Sequence, residues 1–268
     1  MSYQNSIKSI AIGSFDGVHL GHQALIARAE AVVIIERNRS VLTPGYQRVV
    51  QIQKPSFFYH LEKIKSLSAR SFINKLTHDF PQLKRIVVGY DFEFGHQKEG
   101  DTTLLKKLFK GEVEVIEEVK YEQISIHSRS IKEFIKNGEI SFANNLLGRP
   151  YTIKGEVIRG QGLGKKELVP TLNLKVIDYL LPKEGVYATQ TKIGNMWLSS
   201  ISFLGHRLST DGLFAIETHL IDQTIEQVKG EVEIKFIAYI RANQKFETLS
   251  QLKSAIAQDI QQAKESLL

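Results

Sequence analysis

The chain has 268 residues, of which 42% are hydrophobic and 24% charged, and its formal net charge is +6. This length allows one large domain or two smaller ones, each with a buried core. The sequence contains no cysteine, which excludes disulfides, thiolate metal sites and cysteine nucleophiles. The absence of cysteine also favours a reducing compartment, and we expect the protein in the cytoplasm.

The distribution of charged and apolar residues along the chain indicates which kinds of partner the protein binds. The lysines are scattered rather than gathered in one basic block, which favours nucleotide phosphates over nucleic acid as the anionic ligand. No apolar run approaches the roughly 18 residues that a membrane-spanning helix needs, and the N-terminal residues lack a signal-peptide pattern. We therefore expect small-molecule partners, no nucleic acid and no membrane. The sequence predicts no oligomeric state.

The first half of the chain alternates strands and helices. Apolar residues predict a strand over 7–13, a helix after it and a second strand over 32–36. Proline and glycine breaks favour irregular structure over 42–60. The pattern then resumes as helix, strand, helix and strand over 67–76, 84–90, 101–109 and 112–119. This alternation predicts a mostly parallel, doubly wound, Rossmann-like sheet that binds ligands at the carboxyl ends of its strands.

The second half changes character at about residue 148. Two short helices, 130–138 and 140–148, end at glycines that can serve as left-handed caps. The apolar period then becomes two, and strands are predicted over 151–158, 171–176, 185–193, 196–204, 213–220 and 231–240. A small antiparallel β-barrel follows from this pattern. An amphipathic helix ends the chain, with Leu252, Ile256, Ile260 and Ala263 on one face. We expect an α/β domain over 1–147 and an all-β domain over 148–268.

The stretch GSFDGVHLGH, residues 13–22, places His19 and His22 between the first strand and its helix. Free backbone N–H groups and the positive end of the helix dipole attract phosphate at such a place. Imidazoles there can donate hydrogen bonds to phosphate oxygens during transfer at phosphorus. Taken alone, the pair also fits turn and capping residues, whereas a zinc site lacks a third ligand marked by spacing.

The stretch GEVIRGQGLGKKELVPTLNL, residues 155–174, matches neither the P-loop nor the dinucleotide fingerprint. Its glycines allow close approach of the backbone to phosphates. Thr171 and Asn173 share one face of a predicted strand and can hold Mg²⁺, although a plain hairpin and strand fit these residues as well. Further along, Glu217 and His219 share a strand face, and this carboxylate can accept a proton from an attacking hydroxyl.

The complete strings resemble one known family. The pattern G-x-F-D-x-x-H-x-G-H resembles the signature of HxGH nucleotidyltransferases, and VGYDFEFGHQKEGD, residues 88–101, resembles a segment of their flavin branch. PTxN, GVYA, ExHL and Arg241 follow in the order of the riboflavin kinase module. Nearly the whole chain therefore resembles the bacterial bifunctional riboflavin kinase/FMN adenylyltransferase family, also called FAD synthetase.

This resemblance implies that the first domain transfers AMP from ATP to FMN and that the second phosphorylates riboflavin, both with ATP and Mg²⁺. His19, His22 and Glu217 would be catalytic, the last as general base. The implied ATP-binding residues are Gly13, Phe15, Asp16, Gly21, Ser128, Arg129, Lys132, Gly160, Gly162, Gly164 and Lys165. Flavin binding is implied for Asp91, Phe92 and Arg241, and metal binding for Thr171 and Asn173.

Some family positions differ in the first domain. The usual Phe-x-Pro-His-Pro segment reads IIERNRSVLTPG, so a nucleotide contact is missing or comes from Arg37, Asn38 or Arg39. The usual SSTxIR string reads HSRSIK, residues 127–132. Lys132 there replaces an arginine and loses its bidentate fork, for which Arg129 can compensate.

The kinase module differs as well, since Leu168 replaces a glycine and Arg207-Leu208-Ser209 replaces an NPT or RPT string. We expect two working active sites. The alternatives are a chain with riboflavin kinase activity only, whose adenylyltransferase domain is weakened or inactive, a nucleotidyltransferase acting on another phosphate, and a flavin- or nucleotide-binding sensor without turnover.

Overall fold

The computed structural model describes residues 3–37, 41–159, 169–209, 211–223 and 228–268. The chain divides into two compact units, Met1–Ser128 and Arg129–Leu268. Each unit has its own sheet and its own core. The domain boundary expected after residue 147 stays a prediction.

The first unit is built on a parallel sheet with the strand order β3-β2-β1-β4-β5. Its strands are β1 (Ser9–Gly13), β2 (Ala31–Glu36), β3 (Ser56–His60), β4 (Arg85–Gly89) and β5 (Glu112–Ile116). The central strands are buried on both faces, as continuous apolar runs require in a covered parallel sheet. The strand order reverses between β1 and β4, and a crevice opens where their carboxyl ends diverge. The predicted Rossmann-like fold is confirmed.

Helices cover both faces of this sheet. They are α1 (Leu20–Ala27), α2 (Gln47–Ile52), α3 (Leu61–Ile64), α4 (Ala69–Asp79) and α5 (Thr102–Leu108). Phe72 and Leu76 of α4 pack in the core on one face, while Leu25 and Ile26 of α1 pack on the other. A hairpin of β6 (Lys120–Tyr121) and β7 (Ile124–Ser125) follows the sheet.

The prediction of irregular structure over residues 42–60 is wrong, because this range holds α2 and β3. The prolines and the glycine in this range lie at the ends of α2 and β3 and do not interrupt them. The Pro44 carbonyl accepts a hydrogen bond from the Gln47 N–H at the start of α2. Pro55 directly precedes β3, where it removes no ladder donor, and its carbonyl accepts from Val32 at 2.8 Å.

The second unit is a closed antiparallel barrel with the order β10-β11-β12-β9-β8-β13, preceded by two helices and followed by one. The helices are α6 (Ser128–Asn137), α7 (Ile140–Leu147) and α8 (Leu249–Leu267). The strands are β8 (Tyr151–Ile158), β9 (Leu172–Val176), β10 (Gly185–Ile193), β11 (Met196–His206), β12 (Phe214–Leu220) and β13 (Glu231–Ala242). The predicted barrel and terminal helix are confirmed. Within the described residues, no helix combines the length and apolar content needed to cross a membrane.

Buried hydroxyl groups link three barrel strands. This hydroxyl chain consists of Thr189, Thr191, Ser200, Ser202 and Thr218, whose side chains are fully buried. Successive oxygens lie 2.8 to 2.9 Å apart, from Thr191 through Ser200, Thr189 and Ser202 to Thr218. Buried polar groups are costly without partners, so these bonds favour one alignment of β10, β11 and β12.

Candidate active sites

A cavity of about 630 Å³ opens at the carboxyl ends of the parallel strands. The loops that follow β1, β2, β4 and β5 line it, which is where a doubly wound sheet binds ligands. Predicted site residues among its walls are Gly13, Phe15, His19, Gly21, His22, Asp91, Phe92 and Ser128. The structure therefore brings together the predicted nucleotide-side and flavin-side segments of the first unit.

The histidine loop, residues 14–19, joins β1 to α1 in an unusual backbone conformation. Phe15 and Val18 have φ values of +52° and +41°, in the left-handed region that non-glycine residues rarely adopt. The Phe15 ring is fully buried and meets the His22 ring edge-on, with centroids 5.2 Å apart. A loop in this conformation needs contacts from its surroundings to hold it.

His19 is the N-cap of α1 and is 5% exposed. Its Nδ1 accepts a hydrogen bond from the His22 N–H at 3.3 Å, so a neutral ring carries its hydrogen on Nε2. The two imidazole rings stack with centroids 3.6 Å apart. A Cβ on Gly21 would lie 3.2 Å from the His19 Nδ1, so glycine leaves room for this arrangement. Both rings lie at the start of α1, and their action on phosphate stays a prediction.

Asp16 and Ser128 hold the histidine loop in place. The Asp16 carboxylate, 4% exposed, accepts hydrogen bonds from the Leu42 and Thr43 N–H groups at 2.9 and 3.1 Å. The Ser128 hydroxyl donates to the Asp16 carbonyl at 2.7 Å. The structure thus gives these two residues a supporting role, and their predicted contact with ATP stays a prediction.

Asp91 and Phe92 follow the end of β4 after one intervening residue and line the same cavity. The Phe92 ring stacks on that of Phe94 with centroids 5.5 Å apart and an angle of 16° between planes. A Cβ on Gly89 would lie 3.0 Å from an oxygen of Asp91. An aromatic wall beside a carboxylate suits a flat, polar-edged ring system such as a flavin.

Sequence reasoning missed a polar cluster at the edge of this cavity. The Tyr90 hydroxyl lies 3.2 Å from both the Glu118 carboxylate and the His127 Nε2. A hydrogen bond from Ser125 is the main cause that lowers the pKa of Glu118 to about 2, so this carboxylate stays ionised. Three separate segments supply the cluster, and no local spacing signals it.

The other predicted site residues differ in where they lie. Arg37 lines the cavity at the end of β2. Arg129 and Lys132 lie on α6, exposed and half-buried respectively. Asn38 and Arg39 of the first domain lie outside the described residues, as do Gly160, Gly162, Gly164 and Lys165 of the second.

The barrel has a smaller pocket of about 170 Å³. Apolar side chains form much of its wall, and Thr171, Glu217 and Arg241 are among its polar residues. Glu217 lies directly opposite Asn173 in the β12–β9 pairing, which places both side chains on one face. The structure therefore brings the predicted base and the predicted metal-binding residues together.

Arg207 pairs with the predicted base, which the sequence did not indicate. Its Nη1 donates to the Glu217 carboxylate at 3.2 Å, while Nη2 binds Asp211 at 2.8 Å. Burial raises the pKa of Glu217, and the nearby Arg207 opposes this rise. The pair joins β12 to the loop that begins at residue 207, so the pairing could be found only in three dimensions.

Arg241 is held by the terminal helix. Its Nε and Nη2 donate to the two Asp259 oxygens at 2.8 and 2.7 Å, and Asp259 is 5% exposed. This bidentate pair fixes the guanidinium plane beside the pocket. The predicted contact of Arg241 with flavin stays a prediction.

Two family models divide the chain in agreement with these sites. The FAD synthetase model matches residues 2–43 and 48–130, and the riboflavin kinase model matches residues 147–267. The bifunctional riboflavin kinase/FMN adenylyltransferase of Listeria monocytogenes is 31% identical over 95% of this chain and 90% of its own. The chain belongs to the bifunctional riboflavin kinase/FMN adenylyltransferase family. It is thus an enzyme with a kinase module and a nucleotidyltransferase module, and the predicted family is confirmed.

Two further relatives carry the same name, and one solved structure has a similar fold. The proteins of the same name from Buchnera aphidicola of Acyrthosiphon pisum and from Escherichia coli K12 are 33% and 27% identical, over 96% of this chain and 92% and 91% of their own. A crystal structure from Streptococcus pneumoniae, titled as a macrolide-efflux protein, has a TM-score of 0.84 with 24% identity, over 98% of this chain and 97% of that one. That likeness concerns the fold alone.

Proposed function

We propose that this chain phosphorylates riboflavin to FMN in its second unit and adenylylates FMN to FAD in its first, with ATP as the donor in both reactions. The observation that carries this proposal is the convergence of each motif on one cavity. The histidines and the Asp91-Phe92 segment share the larger cavity, while Thr171 and Glu217 share the smaller one. Each cavity lies within one compact unit.

In adenylyl transfer, an FMN phosphate oxygen attacks the α-phosphorus of ATP, and the bond from that phosphorus to the bridging oxygen breaks to release pyrophosphate. FMN is itself the nucleophile, so this step needs no covalent enzyme intermediate. His19 and His22 bind the triphosphate and stabilise the negative charge that builds up during transfer. Phe92 packs against the flavin ring and Asp91 binds its polar edge.

In the kinase reaction, the terminal ribityl hydroxyl of riboflavin attacks the γ-phosphorus of ATP, and ADP leaves. Glu217 accepts the hydroxyl proton as general base. Arg207 and the neighbouring strand hold this carboxylate toward the pocket. Arg241, fixed by Asp259, orients the flavin.

Mg²⁺ fits the donors of the barrel site. Thr171 and Asn173 offer a hydroxyl and an amide oxygen beside Glu217, and oxygen ligands shared with substrate phosphates are what Mg²⁺ prefers. The described residues contain no group of three or more histidine, cysteine or carboxylate side chains that suits a metal, so phosphate oxygens would complete the coordination. Bound there, Mg²⁺ would neutralise phosphate charge. We also propose that the protein works in the cytoplasm.

The test is to incubate the purified protein with ATP and Mg²⁺, with riboflavin in one tube and FMN in another, and to separate the flavins by chromatography. We expect FAD in both tubes. FMN accumulating in the first tube, with no FAD in either, would leave the kinase and refute the adenylyltransferase. Unchanged flavins in both tubes, with tight flavin binding, would refute both activities.

A further inference from the structure

Arg48, on α2, is fully buried. A buried guanidinium is costly unless charged and polar partners surround it. Its Nη2 bonds the carboxylate of Glu36, the last residue of β2, and its Nε donates to the Gly45 carbonyl at 3.0 Å. Its carbon Cζ also lies 5.7 Å from the centre of the Phe58 ring.

A third hydrogen bond of Arg48 reaches the active site. Its Nη1 donates to the Ser14 carbonyl at 2.8 Å, at the first residue of the histidine loop. Ser14 lines the cavity, and so does Arg37, which directly follows Glu36. One planar guanidinium thus fixes the start of the histidine loop relative to the end of β2.

The same segment makes a second contact with the loop. Leu42 and Thr43, a few residues before Arg48, donate their N–H groups to the Asp16 carboxylate. The bond from Arg48 to Ser14 and the bonds to Asp16 thus lie on either side of Phe15, whose φ of +52° needs external support. Residues 42–48 therefore brace the loop that delivers His19 and His22 to the cavity.

We propose that Arg48 is a positioning residue for adenylyl transfer, acting through the Ser14 carbonyl on the histidine loop. This inference rests on the proposed function of the first unit. Because the histidines act on charge that develops during transfer, displacement of their loop lowers kcat more than it changes the KM for ATP. Riboflavin phosphorylation in the other unit is unaffected.

Replacing Arg48 alone by an apolar residue would leave the Glu36 carboxylate, whose side chain is only 15% exposed, without its cationic partner. The principal variant is therefore the double substitution Arg48→Met with Glu36→Gln, which removes both charges together. Arg48→Lys is the second variant, since a lysine keeps the charge but loses the fork that serves three partners. Arg70→Met, at an exposed arginine of α4, is the matched control.

For each variant, FAD formation from FMN and ATP gives kcat and KM, and hydrogen exchange of the β1 and β2 amides reports folding of the first unit. We expect the folded double variant to lose at least about tenfold in kcat, with the KM for ATP within about threefold of wild type. The kcat of Arg48→Lys should lie between those of the double variant and wild type. The control should match wild type.

A folded double variant with kcat within twofold of wild type would overturn the inference, and so would a rise in KM without a fall in kcat. If the double variant loses amide protection, Arg48→Lys decides: unchanged kcat overturns the inference, and reduced kcat with retained protection supports it. Wild-type protein that forms no FAD would refute the proposed function instead.

Discussion

The two candidate sites are built in opposite ways. The larger cavity is made of loops that leave the ends of parallel strands, and its key residues depend on buried contacts such as Arg48 to Ser14 and Ser128 to Asp16. The barrel pocket takes its base from a strand interior, where Glu217 faces Asn173 across a ladder. A loop site can therefore be disturbed without changing its secondary structure, whereas a strand site depends on register.

The difference in the two sites also provides internal controls. Each reaction can be measured in the same polypeptide, with riboflavin or FMN as the acceptor. A change that acts on one unit should leave the other reaction intact. This makes the comparison testable by single substitutions.

The largest expected effect comes from Glu217→Gln. The amide keeps the shape but cannot accept the hydroxyl proton, so riboflavin phosphorylation should fall by about 10²- to 10⁴-fold. Conversion of FMN to FAD should stay within twofold of wild type. The rates are read from flavin chromatography, with Glu231→Gln, an exposed glutamate of β13, as matched control. Equal loss of both activities would contradict separate sites.

His22→Ala should produce the reverse pattern. Loss of one group that stabilises developing charge typically costs about 10²- to 10³-fold in kcat, and we expect FAD formation from FMN to fall by roughly that factor. Riboflavin phosphorylation should be unchanged. The exposed His78 on α4, replaced by alanine, is the control. Normal FAD formation by His22→Ala would show that the His22 ring takes no part in the transfer and that the residue serves only as part of α1.

Ser202→Ala tests the register of the barrel. The change removes the hydroxyl that bonds both Thr189 and Thr218, which should lower the free energy of unfolding of the barrel by about 1–3 kcal/mol. Trp197 is the only tryptophan and lies on β11, so its fluorescence follows this unit alone during urea unfolding. Ser199→Ala, at an exposed position of the same strand, should change little. A Ser202→Ala midpoint equal to that of wild type would show that the hydroxyl chain does not stabilise the barrel.

The smallest effect is expected from Gly21→Ala. The new Cβ would press on the His19 Nδ1 at 3.2 Å, so the ring must shift by a few tenths of an ångström. We expect FAD formation to fall by about three- to tenfold, while alanine, the better helix former, does not lower thermal stability. Adenylyl transfer at the wild-type rate would mean that the ring position tolerates this displacement.

Much of the fold follows from local patterns in the sequence. The parallel sheet was predictable because β1, β2 and β4 are continuous apolar runs separated by helical spacing. That order alone places His19 and Asp91 at the same sheet edge. The barrel was predictable from the alternation of apolar and polar residues along its strands. The strand over Gly185–Ile193 even begins and ends at the predicted residues.

What local patterns missed are the long-range partners. Arg48 lies in a stretch with proline and glycine breaks, and arginines are rarely buried completely, so nothing marked it as internal. The same holds for Arg207 beside Glu217 and for Asp259 beside Arg241, whose pairing depends on tertiary contacts. Sequence reasoning thus found the chemistry-bearing residues but not the residues that hold them.

Two demands on position 15 conflict, because the backbone favours a small or polar residue and the core favours an aromatic ring. The backbone of Phe15 has a positive φ, which glycine or asparagine would adopt more readily, yet its buried ring packs against His22 and would lie 3.2 Å from a Cβ at Gly13. A substitution that relaxes the backbone empties the core, and one that keeps the ring keeps the strain. We therefore expect no single substitution of Phe15 to raise the stability of the first unit, and stability engineering should leave this position unchanged.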